Sequence, residues 1–336
     1  SNIGNILKGC RNGFKPEKII CLTPEYYSPP AGIENCGIET IGVYTDLPAH
    51  SEMIMLTAPL FDACLTQGIT DGPNVISQLG ASKSGNGYFI GVDPLFWKDM
   101  NRERDIDILF LSTFIIPHLY KGRNEVVHDI LNLSHKYKIV LGTENLKNSS
   151  ELASRAKIIV NSSHSGELTS EMIARRIFES MSCGALCFAE DNIKVVKHFY
   201  KDKSEIVYYN RDNLIPLLES YLKSDDERQR IADAGKKKTL KNYTYAANIG
   251  KLFHIVKAEY GYRILTERIK IHSAEYNIRR ARALFYTHVP MDHNYIAGLI
   301  NSASDGDPSY ENEALNDLAV ISAYKNGLDN STGQFE

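Results

Sequence analysis

The run Ile106-Asp107-Ile108-Leu109-Phe110-Leu111 is apolar almost without alternation. A strand with one wet face alternates apolar and polar residues, whereas a strand covered on both faces does not. Such runs therefore call for a parallel sheet clad by helices on both sides. Candidate strands lie at 18–23, 40–45, 63–66, 88–92, 106–112, 138–142, 157–161, 185–189 and 205–209. Helical-period segments at 122–135, 149–155, 169–182, 191–200, 211–223 and 225–241 separate the later strands. Strand, helix, strand in that order gives right-handed crossovers and doubly wound sheets, which bind ligands at the carboxyl ends of their strands.

The length of 336 residues suits about two domains of 100–200 residues each, with room for an appendage. A Pro turn in Gly91-Val92-Asp93-Pro94 followed by the polar run 98–105 marks a boundary. It divides a first domain, 1–99, from a second, 100–255. The first has about four strands, fewer than a full Rossmann sheet of about six. It is either shortened or belongs to a chain that begins earlier. Beyond 255 the strand pattern stops, and 256–336 reads as an all-helical extension broken at His288-Val289-Pro290 and at 302–308. Its segment 316–327 resembles the first helix of a tetratricopeptide repeat, a feature that also suits a plain helical hairpin and could serve a protein partner.

A net charge of −3 removes the basic footprint of a nucleic-acid or anionic-membrane binder. No apolar run reaches the roughly 18 residues of a transmembrane helix, and the opening Ser1-Asn2-Ile3-Gly4-Asn5 lacks a signal-peptide pattern. The six cysteines contain no C-x-x-C pair, as expected of a cytoplasmic protein with reduced thiols.

The chemistry concentrates in 161–185. A buried strand opens there into a polar loop, Ser162-Ser163-His164-Ser165-Gly166-Glu167-Leu168-Thr169-Ser170. Thr169 or Ser170 can cap the helix predicted to follow, and Gly184 can end it. A loop and a helix N-terminus at a strand end make an anion site. Glu171 and Glu179, eight residues apart, would stand about 12 Å apart on one helix, a span that suits a ligand with two polar ends. The same spacing with Arg175 also describes a plain salt-bridge ladder on a solvated face.

The pattern Glu171-x7-Glu179 followed by Ser180-Met181-Ser182-Cys183-Gly184-Ala185 resembles the E-x7-E region of retaining GT-B glycosyltransferases. The variant Arg176-Ile177-Phe178-Glu179 with Cys183-Gly184-Ala185 resembles the spore-maturation (CgeB-like) branch, in its glycosyl transferases group 1 C-terminal domain. Further pieces occur in order, among them Thr45-Asp46 with His50, Gly91-Val92-Asp93-Pro94 and Tyr243-Thr244-Tyr245. The resemblance covers roughly 18–255. It implies two Rossmann-like domains facing a cleft, the first shortened, with the nucleotide held mainly by the second. The implied activity moves a sugar from a UDP- or GDP-sugar to a glycan, protein or small-molecule acceptor, with retention. The donor is a substrate, and no cofactor or metal is implied.

By that resemblance Glu179 accepts hydrogen bonds from the ribose hydroxyls. Glu171, His164, Ser165, Gly166, Thr169 and Ser170 face donor sugar and phosphates. Lys121 and Arg123 are candidates to neutralise the diphosphate, with Arg175 or Arg176 assisting, and Ser112 ends the first strand of that domain. In the first domain His50 is a candidate to face the donor sugar and Asp46 to orient it. If the reaction were inverting, either would be the natural general base. Two rival readings are a non-catalytic GT-B-like module and a sugar-nucleotide epimerase on the same fold.

Other patterns are weaker. Asp105-Ile106-Asp107 fits the metal-binding D-x-D of a different transferase fold, but it sits at the start of a strand, the end away from ligands. Asp305-Gly306-Asp307 lies in a polar turn, and Gly85-Asn86-Gly87 precedes strand instead of helix. His164 with Glu167 lacks further nearby metal ligands. Lys236–Lys238 reads as a solvated face.

Overall fold

The computed structural model describes residues 3–10, 14–45, 50–66, 76–81, 83–86, 91–112, 121–142, 146–162, 173–248, 273–286 and 293–319. The chain divides into two compact units: one comprises 1–66, 71–87 and 261–336, the other 67–70 and 88–260.

The first unit holds a four-stranded, all-parallel sheet of β1 (Lys18–Leu22), β2 (Glu39–Tyr44), β3 (Ala63–Thr66) and β4 (Ser84–Asn86), in that spatial order. Ile41, Val43, Tyr44, Cys64 and Leu65 are buried, as two covered faces require. The fourth strand differs from expectation. It lies at 84–86, while Val92 forms an isolated bridge with Thr244 and residues 88–90 lie outside the described ones. Two short helices, α1 (Ile3–Lys8) and α2 (Ser51–Thr57), escape the sequence pattern because six or seven residues carry too little periodicity.

The second unit holds a five-stranded parallel sheet. Its strands are β5 (Ile106–Leu111), β6 (Ile139–Gly142), β7 (Ala156–Asn161), β8 (Leu186–Glu190) and β9 (Val207–Tyr209). The spatial order is β6-β5-β7-β8-β9, so the chain winds outward from β5 in both directions. The reversal puts a switch point at the carboxyl ends of β5 and β7, where open α/β sheets leave a crevice. Helices α3 (Lys121–Leu131), α4 (Leu146–Arg155), α5 (Arg175–Ser182), α6 (Val196–Phe199), α7 (Arg211–Lys223) and α8 (Asp225–Asn242) complete the unit. Two buried clusters, one around Phe178 and Ile159, the other around Phe188 and Leu214, form its core.

Helix α5 is shorter than predicted. It starts at Arg175, not 169, because Ala174 is extended (φ −68°, ψ 129°) and Ile173 is buried in the core cluster. Glu171 lies outside the described residues, and the extended Ala174 interrupts the single helix that would have carried both glutamates. Of the three-rung ladder, the described residues hold one pair, Arg175 with Glu179. The predicted helix 191–200 likewise contracts to α6.

After 272 the described residues are largely helical: α9 (Ala274–Tyr286), α10 (His293–Gly306), a short 3-10 turn at Pro308–Tyr310, and residues 311–319. Helix α10 runs past the break expected at Ser302 and stops before Pro308. Ala274, Ile278, Ala281, Ile296, Ile300, Ala303 and Ala314 form the apolar seam, and Arg282 pairs with Asp317 at 2.8 Å. Helix α9 also packs on α2, where Arg279 Nη1 donates to the Met55 carbonyl at 3.1 Å. Of the tetratricopeptide-like segment, 320–327 lies outside the described residues. No helix among the described residues is long and apolar enough to cross a membrane.

Candidate functional site

A cavity of about 100 Å³ opens at the carboxyl ends of β5, β6 and β7, the switch point of the second sheet. Ser112, Gly142 and Asn161 come from the three strand ends, and Arg175, Arg176 and Glu179 from the first two turns of α5. Trp97, the single tryptophan of the chain, is a buried wall. Its carbonyl accepts from Ser182 Oγ, and the neighbouring Phe96 carbonyl accepts from Ser150 Oγ.

Glu179 is 4% exposed, which is unusual for a carboxylate. Its Oε1 lies 2.8 Å from Arg175 Nε, while the Arg175 side chain is itself 58% exposed. Burial pushes the Glu179 carboxyl above its usual range, and Arg175 and Arg176 only partly offset that. Burial also opposes the Arg175 charge, but Glu179 and Tyr245 outweigh it and hold the guanidinium protonated. The carboxylate thus faces a small cavity and not a solvated helix face.

The chain fixes this helix carefully. Arg176 Nη1 donates to the Leu111 carbonyl at the end of β5, and Ser180 Oγ donates to the Arg176 carbonyl at 2.6 Å. Asn161 Nδ2 reaches Ser180 Oγ at 3.3 Å and the Phe188 carbonyl at 3.4 Å. At the far end Gly184 takes φ +76°, and a Cβ there would lie 2.7 Å from both Arg104 and Asp99. On the buried side Phe178 packs against Tyr243 at 5.5 Å between ring centroids.

The N-terminus of α5 has no acidic residue, no side-chain cap, and two arginines in its first turn. Cations at that end oppose the helix dipole. The placement is unfavourable for the isolated helix and favourable for binding an anion. Ser112 Oγ adds a buried hydroxyl at the cavity with no hydrogen-bond partner, while its N–H donates to the Gly142 carbonyl at 3.1 Å.

Of the residues predicted from sequence, Ser112, Arg175, Arg176 and Glu179 therefore meet at one cavity. Arg123 is buried on α3 and is not among the residues lining it. Lys121 begins α3, and its side chain lies outside the described residues, as do Asp46, His164, Ser165, Gly166, Thr169, Ser170 and Glu171. His50, in the other unit, precedes α2; its carbonyl accepts from Ile54 N–H, and its ring lies 4.6 Å from Tyr26. Trp97, Gly142 and Asn161 were not singled out as binding residues. A polar Asn closing the apolar run Ile158-Ile159-Val160 was the available signal for one of them.

The D-x-D residues are occupied at the amino end of β5. Asp105 pairs with Arg155 at 2.7 Å and with Lys138, which hold it well below the carboxylate range, and Asp107 pairs with Lys157 at 2.7 Å. Lys236 and Lys238 are not a plain solvated face, since they bind Asp99 at 3.0 Å and Glu205 at 2.7 Å. Asp307 caps the turn at Pro308–Tyr310 by accepting from Ser309 N–H.

Residues 136–254 match the model of a family described as glycosyl transferase-like. No curated protein matches the chain. Among solved structures, Anabaena Alr3699/HepE in complex with UDP-glucose aligns with a TM-score of 0.50 at 11% identity, over 66% of this chain and 72% of that chain. TarM aligns with a TM-score of 0.50 at 11% identity, over 72% of this chain and 55% of that chain. At this identity the likeness is one of fold: the two parallel α/β units and their helices match the GT-B architecture.

Proposed function

We propose that the chain is a glycosyltransferase that takes its sugar from a nucleoside-diphosphate sugar held in the second unit. The observation that carries this reading is the buried Glu179 facing the switch-point cavity, flanked by two arginines at a helix N-terminus. The glycosyl transferase-like match over 136–254, which includes α5, and the UDP-glucose bound by a protein of similar fold support it.

In this arrangement Glu179 accepts hydrogen bonds from the two ribose hydroxyls. Arg175, Arg176 and Ser112 Oγ donate to the diphosphate. Transfer breaks the bond between the anomeric carbon and the diphosphate oxygen and forms one to the acceptor's hydroxyl oxygen, whose proton passes to the departing diphosphate. Negative charge grows on the leaving phosphate, and preorganised cations stabilise it most in the transition state. The stretch Arg176-Ile177-Phe178-Glu179 with Cys183-Gly184-Ala185 favours the CgeB-like branch and, with Glu171, transfer with retention. His50 and Asp46 of the first unit are proposed to act on the sugar and acceptor side, and Lys121 and Arg123 to add positive charge near the diphosphate.

Calorimetric titration with UDP, GDP and their sugars tests the binding. Product analysis with labelled donor then separates a transferase from an epimerase. Failure of every nucleoside diphosphate to bind would sink the proposal.

A further inference from the structure

Helix α9 carries Arg280, whose side chain is 0% exposed. Its Nη2 donates to the Pro29 carbonyl at 3.0 Å, while Nε and Nη1 have no hydrogen-bond partner. One turn earlier Asn277 is also buried, and its Oδ1 likewise has no partner. Pro29 belongs to the segment that follows β1, and Cys21 near the end of β1 feels the Arg280 charge. The guanidinium therefore lies against the segment that leaves the carboxyl end of β1, and loops at that end are where open α/β sheets bind ligands. The segment begins at Thr23, a β-branched residue at φ +52°, whose carbonyl accepts from Tyr26 and Tyr27 N–H. Backbone strain of that kind gathers at ligand-binding loops.

A guanidinium removed from water with two nitrogens unpaired, and with no ion pair among the described residues, is strongly unfavourable, and an apolar side chain of similar volume would serve packing better. Asn277 Oδ1 leaves an acceptor unused beside it on the same helix face, three residues away. Planar N–H donors match the oxygens of a carboxylate or a phosphate, and an acceptor alongside can take a hydroxyl of the same molecule. We propose that Arg280, with Asn277, forms a subsite in the first unit for the carboxylate or phosphate group of a small molecule, entered when the segment 23–31 moves. This subsite is separate from the nucleotide reading and does not depend on it.

The test is the thermal midpoint of the full chain titrated with sodium phosphate and, separately, sodium acetate, with ionic strength held constant by sodium chloride. Wild type, Arg280→Met and Arg280→Lys are compared. The expected result is a saturable rise of about 2–4 °C in wild type with one of the two anions, which identifies the group. The rise is absent in Arg280→Met and reduced in Arg280→Lys. A rise that persists in Arg280→Met belongs to another anion site and overturns the proposal. So does a wild type that responds to neither anion, which leaves buried water as the partner of the guanidinium. Should Arg280→Met fail to fold, Arg280→Lys decides: a response equal to that of wild type refutes the proposal. Slower hydrogen exchange in 23–31 with the active anion, in wild type alone, gives a second readout.

Discussion

Replacing Glu179 by Gln separates binding from packing, because the two readings predict opposite signs. On the binding reading the side chain keeps its shape but loses the charge that strengthens its hydrogen bonds to a ribose. Such bonds contribute about 1.5–3 kcal/mol each, so losing even one equivalent lowers nucleotide affinity about tenfold or more. Stability moves the other way. Burial raises the Glu179 carboxyl above its ordinary value of 4.5, so the folded chain binds that proton more tightly than the unfolded one. The stability this confers is fully present below 4.5 and is lost as pH rises through the folded value. Above that folded value the ionised carboxylate carries a desolvation cost that its two arginines only partly offset, and Gln removes it. Arg175, at 58% exposed, loses its partner but remains hydrated. The thermal midpoint of Glu179→Gln should be unchanged or higher at pH 7, and closer to that of wild type near pH 4. If the pair were simply a surface rung, the variant would instead lose about 0.3–0.5 kcal/mol of stability and bind as before. Calorimetry with UDP and GDP, paired with melting curves at the two pH values, reads both axes. Wild-type affinity in a less stable Glu179→Gln would refute the reasoning.

Ser112→Ala removes a buried hydroxyl without a partner, so the melting temperature of the free chain should not fall, whereas nucleoside-diphosphate affinity should drop by about one hydrogen bond, 0.5–1.5 kcal/mol by calorimetry. Gly184→Ala puts a Cβ at φ +76° against Arg104 and Asp99, and chemical denaturation should show a loss of roughly 1–3 kcal/mol. Asp105→Asn breaks the pairs with Arg155 and Lys138 at the wrong end of the strand for a ligand, so transfer activity and its response to a chelator should match wild type. A selective loss of metal-stimulated activity in Asp105→Asn would restore the D-x-D reading.

Where strands are buried on both faces, the sequence is explicit, and among the described residues eight of the nine strands fall close to their apolar runs. The exception is instructive. Ser84-Gly85-Asn86 has no apolar residue and enters the sheet because β3 offers it an open edge. Edge pairing is a tertiary fact that no local pattern carries. The start of α5 was missed for a related reason. Residues 169–182 have helical spacing, but tertiary burial of Ile173 and the tie from Arg176 to the Leu111 carbonyl leave 174 extended. At the site, Glu179 and its neighbouring arginines were legible as a charged pattern on one segment. Trp97 and Gly142 were not, because their role depends on which strand ends the switch point gathers. Arg280 was invisible altogether, since an arginine in a charged helix looks solvated until the helix is seen packed on α2 with its guanidinium against the Pro29 carbonyl.

The first unit is built from segments on either side of the second, which is inserted in its sequence. On a ribosome this imposes an order of events. The strands of the first sheet emerge early, but α9, whose Arg279 and Arg280 reach Met55 and Pro29, emerges more than two hundred residues later. At about 5–20 residues per second that delay is roughly 10–40 s. The inserted unit is complete in sequence before those helices are made and can begin to close as soon as it clears the exit tunnel. The early strands must meanwhile remain unfinished, with part of their apolar surface awaiting a cover that has not been translated. A chain stalled or cleaved before residue 274 would thus leave a finished half tethered to a sticky one, the kind of intermediate that chaperones hold and proteases clear.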